Sequence, residues 1–270
     1  MLVGNRLPRI PVLAINPLYS IAGVLVGLLV GMTGVGGGSL MTPLLVLAFG
    51  FHPATAVGTD LLYASATKTV GAGVHGLHGT IDWKVVRRLA YGSVPATILT
   101  LLFLSSAQEH AKNSGGLITL TLGVALVVTA IATFFRARMV TFMAPRFERL
   151  GERRIGYVTV ALGGLLGLLV SLTSVGAGAL GMTALLMLYP HQQVNRLVGS
   201  DIAHAVPLTL LAGFGHWMLG SVNGALLVSL LAGSVPGIIL GSLLATRTSD
   251  KVLVPILAAT LAVVGLKMLF

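Results

Sequence analysis

The sequence predicts an all-α polytopic membrane protein built as two inverted five-helix repeats, with about ten membrane elements including two short hairpin arms. Three observations lead there. Of 270 residues, 55% are hydrophobic and 9% charged, and the mean hydropathy is +0.96, which describes a chain immersed in lipid. The chain also repeats itself. Gly27-Leu-Leu-Val-Gly31-Met-Thr33-Gly-Val35-Gly36-Gly37-Gly38 is answered by Gly167-Leu-Leu-Val-Ser171-Leu-Thr173-Ser-Val175-Gly176-Ala177-Gly178. Finally, the basic residues gather in a few short loops, the distribution that fixes orientation in a bilayer.

One residue is inserted after the glycine-rich segment of the second copy, and the register then holds. Val57-Gly58-Thr59-Asp60 matches Val198-Gly199-Ser200-Asp201, His75 matches His216, and Gly92-Ser-Val-Pro95 matches Gly233-Ser-Val-Pro236. Two hydrophobic units, each with a glycine-rich break and an ionisable residue, are the mark of a repeat-built transporter.

Residues 1–16 hold Arg6, Arg9 and several prolines around short apolar pieces. They read as a retained N-terminal extension without a signal peptide. Helices of the first repeat, 17–135, are expected near 17–34, 39–50, 54–77, 85–106 and 115–135. Those of the second, 155–270, are expected near 155–174, 179–190, 194–219, 222–245 and 250–269. The elements 39–50 and 179–190 reach about 18 Å, short of a hydrocarbon core of about 30 Å. Each is expected to be one arm of a hairpin with its glycine tip inside the membrane.

The segment 136–154 carries Arg136, Arg138, Arg146, Arg149, Arg153 and Arg154 and reads as a basic cytoplasmic linker. Lys84, Arg87 and Arg88 lie two crossings earlier and therefore on the same side. The equivalent loop of the second copy, around Ser221 and Asn223, has no basic residue and is expected outside, while Arg247 and Lys251 return inside. Equivalent loops thus face opposite sides, which makes the repeat inverted.

Of seven acidic residues, only Asp60 and Asp201 fall in apolar helices. An intramembrane carboxylate costs about 3 kcal/mol on insertion scales, so it is kept with a partner or a task. Two readings stand: a structural anchor beside the glycine loops, or a proton-coupling or gating group. Lys68 follows Asp60 by eight residues, on nearly the same helix face, and could neutralise it, attract an anion or snorkel. Its counterpart is Thr209. His75, His216 and His204 titrate near physiological pH and could relay protons. His75 and His216, near helix ends, are more simply satisfied polar groups, and the deeper His204 is the better relay candidate. No metal site is expected, because no histidine pair finds a third ligand at suitable spacing. No cofactor is expected either. Pro95 and Pro236 fall mid-helix, as packing features or as kinks that bend between states.

Gly23, Gly27 and Gly31 at four-residue spacing suit close helix packing. Gly36-Gly37-Gly38 instead ends a helix. The next arms begin near Ser39 and Ala179 and offer unpaired N–H groups and a positive dipole end. In inverted copies the two tips approach each other, forming an anion site without any arginine. The expected substrate-binding set is Thr33, Gly36, Gly37, Gly38, Ser39, Thr173, Ser174, Gly176 and Gly178, with Thr42 and Thr183 adding hydroxyls nearby.

At these residues the sequence resembles the TauE/SafE-type sulfite exporter family of anion permeases. The resemblance rests on Gly31-Met-Thr-Gly-Val-Gly-Gly-Gly-Ser-Leu-Met-Thr-Pro43-Leu-Leu45, on the Val57–Asp60 motif, and on their repetition, and it covers residues 17–270. The second copy departs: Ala177 replaces a glycine and Ala184 stands where Pro43 does, so the second tip is expected to serve shape more than binding. The resemblance implies transport of sulfite, sulfonates such as sulfoacetate, or other small organic anions across a bacterial inner membrane. The expected mode is export by alternating access with proton linkage open. A cation–proton antiporter using Asp60 and Asp201 is the alternative. An enzyme is not expected: there is no HExxH, no GxSxG and no Ser-His-Asp set. Expected partners are a small anion and the lipid bilayer, with a homodimer open and no nucleic acid.

Overall fold

The computed structural model describes residues 15–33, 38–110, 114–176, 178–245 and 250–270, and within them the side chains outside 30–33, 38–39, 74, 107–110, 114–118, 241–245, 250–254 and 256–257. Most of the N-terminal extension (1–14) therefore lies outside the described residues. Eleven helices, and no strand, occur among those residues. In lipid every backbone polar group needs an internal partner, which helices provide within one segment.

The helices are α1 (Pro17–Thr33), α2 (Gly38–Leu47), α3 (Pro53–Leu77), α4 (Trp83–His110), α5 (Ser114–Phe134), α6 (Arg136–Glu148), α7 (Glu152–Thr173), α8 (Ala179–Leu188), α9 (Val194–Met218), α10 (Gly224–Ala245) and α11 (Asp250–Leu269). Ten correspond to the elements expected from the sequence. The exception is α6, which occupies the segment expected to be a linker; its arginine content masked the apolar positions on its other side. Among the described residues, Trp83–Ser106, Glu152–Thr173 and Val194–Met218 are long and apolar enough to cross a membrane, and α5 turns by 78° into α6.

Packing repeats as the sequence does. The principal pairs are α1 on α10, α4 on α7, α3 on α9 and α5 on α11, and exchanging the first five-helix set for the second maps this list onto itself. Equivalent contacts recur in detail. A Cβ on Gly27 would lie 2.6 Å from the Ser234 carbonyl, and one on Gly167 would lie 2.5 Å from the Ser93 carbonyl. Small residues let backbones meet this closely, which is how helices associate where lipid removes the hydrophobic driving force.

The central pair, α3 and α9, runs antiparallel. Gly58 near the start of α3 lies against His216 at the end of α9, Gly213 against Leu62, and Gly199 at the start of α9 against His75 at the end of α3. Both helices stop in the same way. Gly79 and Gly220 adopt φ of +62° and +70°, and the next amides bond back to His75 (3.0 Å) and His216 (2.8 Å), closing the left-handed turn that glycine tolerates. Cross-links between the copies match too: the Asp82 N–H donates to Ser200 Oγ (2.8 Å) and the Asn223 N–H to Thr59 Oγ1 (3.1 Å). Between α1, α2 and α11 an apolar cavity of about 490 Å³ is lined by Leu25, Leu29, Leu40, Leu44, Leu47 and Leu261 among others.

Candidate functional site

The α7–α8 turn is the second glycine break. Helix α7 ends at Thr173 and α8 begins at Ala179. Ser174 closes α7 in the left-handed conformation (φ 60°, ψ 0°), with its N–H donating to the Val170 carbonyl at 2.8 Å. Gly176 (φ 120°) and Gly178 (φ 129°) then reverse the chain, in conformations that L side chains rarely adopt. The Gly181 and Met182 amides bond to the Gly176 and Gly178 carbonyls at 3.1 and 2.9 Å, so the amides an anion could take are those before Gly181. The Thr173 hydroxyl is already engaged: it donates to the Leu169 carbonyl (2.6 Å) and accepts the Val175 N–H (3.1 Å). Thr183 is likewise engaged with the Ala179 carbonyl (2.7 Å).

Of the first break, Gly36 and Gly37 lie outside the described residues. Gly38 opens α2 and Thr33 closes α1, but the side chains of Thr33 and Ser39 also lie outside the description.

Asp60 joins the two regions. It is fully buried on α3 and its Oδ2 accepts a 2.5 Å hydrogen bond from Thr42 Oγ1 on α2. Ser174, at the turn of the opposite repeat, approaches the same carboxylate without its hydroxyl completing a hydrogen bond, and Asp60 Oδ1 also lacks a partner. An ionisable group, an unsatisfied hydroxyl and the second glycine turn thus share one buried place.

Asp201 sits at the equivalent position of α9 and is 4% exposed. It presses on α8: a Cβ at Gly181 would lie 2.5 Å from its Oδ1. Lys68 on α3 interacts electrostatically with both carboxylates, and Arg136 at the start of α6 interacts with Asp201. Lys68 thus interacts with Asp60, eight residues away on its own helix, and also with Asp201 on α9, which pairing along one helix does not reveal.

His204, one turn after Asp201, is buried with Nε2 2.8 Å from Ser93 Oγ and Nδ1 without a partner. Its counterpart by the repeat is Tyr63, fully buried beside Ser234, the counterpart of Ser93. Sequence reading passed over Tyr63 and both serines, although the duplicated Gly-Ser-Val-Pro segments marked the position. His216 and His75 do structural work. His216 Nε2 lies 2.9 Å from the Ser171 carbonyl, one of the last in α7, which has no acceptor role left inside the helix. His75 Nδ1 lies 2.8 Å from Thr80 Oγ1. Among the described residues no group of three or more His, Cys, Asp or Glu could hold a metal ion.

On one face of the molecule the α3–α4 loop meets the loop after α8. Asp82 there accepts from Gln192 Nε2 (2.9 Å) and the Lys84 (2.9 Å) and Val85 (3.3 Å) amides. Partial burial pushes its carboxyl up, but these bonds and the Arg196 charge outweigh that and hold it below the usual carboxylate range. Glu152 pairs with Lys84 and Arg88.

A family model described as sulfite exporter TauE/SafE matches residues 19–268. The chain is 38% identical over 248 residues to "Probable membrane transporter protein YjnA" of Bacillus subtilis, covering 92% of this chain and 97% of that one. It is 27% identical over 221 residues to "Probable membrane transporter protein MJ0441" of Methanocaldococcus jannaschii, covering 78% and 76%. A 68-residue stretch, 25% of each chain, is 37% identical to "Probable membrane transporter protein YunE" of Bacillus subtilis. No solved structure matches significantly.

Proposed function

The chain belongs to the TauE/SafE sulfite exporter family, and from that premise we propose that this multi-pass membrane transporter carries a small sulfur oxyanion, sulfite or an organic sulfonate, out of a bacterial cell by alternating access linked to a proton. The anion is held between the two glycine turns by backbone amides and hydroxyls. The observation that carries this reading is Asp60: a buried carboxylate of one repeat, bonded by Thr42 of that repeat and approached by Ser174 at the turn of the other.

An anion seated at that turn repels the Asp60 carboxylate unless a proton accompanies it. Proton and anion therefore bind more tightly together than apart, and the coupling is reciprocal. Antiparallel packing of the equivalent helices α3 and α9 and the exchange of α1–α10 with α7–α4 support an inverted repeat. In such a protein the two turns converge, and rocking one unit against the other opens the site to alternate sides. An apolar cavity between α1, α2 and α11 leaves space for such a rearrangement. An inside-negative potential of about 100 mV favours export by about 2.3 kcal/mol for each net negative charge that remains once the accompanying proton is counted.

Proteoliposomes loaded with sulfoacetate test the reading. Labelled sulfoacetate is expected to accumulate by exchange, and external sulfite and alkyl sulfonates to suppress it while sodium or potassium gradients do not drive it. Accumulation indifferent to sulfite and sulfonates would sink the anion reading and favour a cation–proton antiporter on Asp60 and Asp201.

A further inference from the structure

Helix α6 takes no part in the transport steps proposed above. Helix α5 turns by 78° into α6, so if α5 crosses the membrane α6 runs along its surface. Two faces divide this helix. Arg136, Val140, Met143, Ala144 and Phe147 are shielded to different degrees, at the spacing of one helix face, and α6 packs on α8. Arg138, Phe142, Arg146 and Arg149 recur at i, i+4, i+8 and i+11 on another face and are all exposed. Phe142 is 63% exposed, with the Arg146 guanidinium 4.3 Å above its ring. Arg153 and Arg154 follow at the exposed start of α7.

The nearby carboxylates are already taken. Glu148 meets His191 at 2.8 Å and Glu152 meets Lys84 and Arg88. Among the described residues no carboxylate forms an ion pair with Arg138, Arg146, Arg149, Arg153 or Arg154. A surface with this much unbalanced positive charge and an uncovered phenyl ring suits the boundary of headgroups and acyl chains, where the ring enters the apolar layer and guanidinium groups meet phosphates.

We propose that the exposed face of α6 is a docking surface for acidic phospholipid headgroups, and that lipid seated there steadies α8. The second clause follows from contact. Helix α6 packs on α8, and Glu148 at its end grips His191 in the loop that follows α8. Charge complementarity and tethering to the bilayer through α5 select the lipid over a soluble acidic partner. The proposal is independent of which anion is carried.

The full-length protein is released into native mass spectrometry from micelles containing equal phosphatidylglycerol and phosphatidylcholine. Phosphatidylglycerol is expected to be retained at least about five-fold over phosphatidylcholine, the preference that roughly 1 kcal/mol per basic side chain supports. Combined Arg138→Gln, Arg149→Gln and Arg153→Gln is expected to abolish the preference, and the same three arginines changed to Lys to keep most of it. Amide exchange across α8 is expected to slow with phosphatidylglycerol in the wild type and not in the Gln variant. Equal retention of both lipids by the wild type overturns the proposal, as does a full preference in the Gln variant. Should the Gln variant not fold, 500 mM salt on the wild type replaces it: screening must reduce the preference, and an unchanged ratio overturns it. Unchanged α8 exchange overturns the second clause.

Discussion

Asp60 and Asp201 occupy equivalent positions on equivalent helices, and their surroundings differ. Asp60 is held by a hydroxyl at one oxygen only: Thr42 bonds Oδ2, and Ser174 of the other repeat stands beside the carboxylate without completing a bond. Asp201 is balanced by charge: Lys68 and Arg136 both act on it electrostatically, and Gly181 lets the carboxylate lie against the backbone of α8. Lys68 has Thr209 as its counterpart, and the Thr209 hydroxyl bonds back within its own helix to the Ala205 (2.8 Å) and Val206 (3.3 Å) carbonyls. His204 likewise has Tyr63 as its counterpart. Duplication supplied one architecture twice, and a few substitutions gave the copies separate electrostatics. We read Asp60 as the group that meets the anion and Asp201 as the anchor of a charged lattice across α3 and α9.

That contrast is sharpest under removal of the second carboxylate. Asp201→Asn takes away the carboxylate whose charge acts most on half-buried Lys68 and is expected to destabilise the protein by about 3 kcal/mol, the lower end of what breaking a buried pair costs. Adding Lys68→Met is expected to recover more than half of this, read by thermal unfolding in detergent. Strictly additive losses would show that the two side chains do not act together. Asp60→Asn keeps an acceptor for Thr42 and is expected to leave stability nearly intact.

The matching threonines come next in size. Thr42→Val strips Asp60 of its formed hydrogen bond and is expected to cost about 2 kcal/mol. Thr183→Val removes only a bond to its own helix and should cost less than about 0.5 kcal/mol. Equal losses in the two variants would contradict the asymmetry.

A smaller effect separates the two loops. Asp82, held below the usual carboxylate range, adds stability that is fully present above its ordinary value of 3.8 and disappears as pH falls through its lower folded value. Asp82→Asn should therefore lower stability at pH 7 by about 1 kcal/mol or less once solvent screening is allowed for, read as a slightly lower melting temperature, with the gap closing below pH 3.8. Asn223, its counterpart, has no charge to lose, so Asn223→Ala should show no such closing.

Much of this was legible before any coordinates. The repeat, the ten apolar elements and the burial of Asp60 and Asp201 follow from periodicity and composition, because lipid allows few alternatives to a helix. Partners across the repeat were harder to read. Nothing local to Asp60 points to Ser174, 114 residues away, and the Ser93–His204 contact spans 111. Both pairs join one repeat to the other, and only tertiary packing brings them together. Helix α6 escaped for another reason: six arginines in 136–154 suggested solvent, whereas one face of a surface helix can be basic while another packs. The structural duty of Thr173 was also hidden, since a hydroxyl near a turn looks free until its backbone partners are located, whereas His216 bonds the Ser171 carbonyl as a satisfied helix-end group.

The central claim is that a proton and an anion meet at Asp60. Sulfite or sulfoacetate binding to the purified protein, measured by calorimetry from pH 5 to pH 8, tests it most directly. The wild type is expected to bind more tightly as pH falls, beyond any change in the ligand's own ionisation. Asp60→Asn should bind with little pH dependence and Asp201→Asn should keep the wild-type slope. A slope that survives in Asp60→Asn and vanishes in Asp201→Asn would contradict the account.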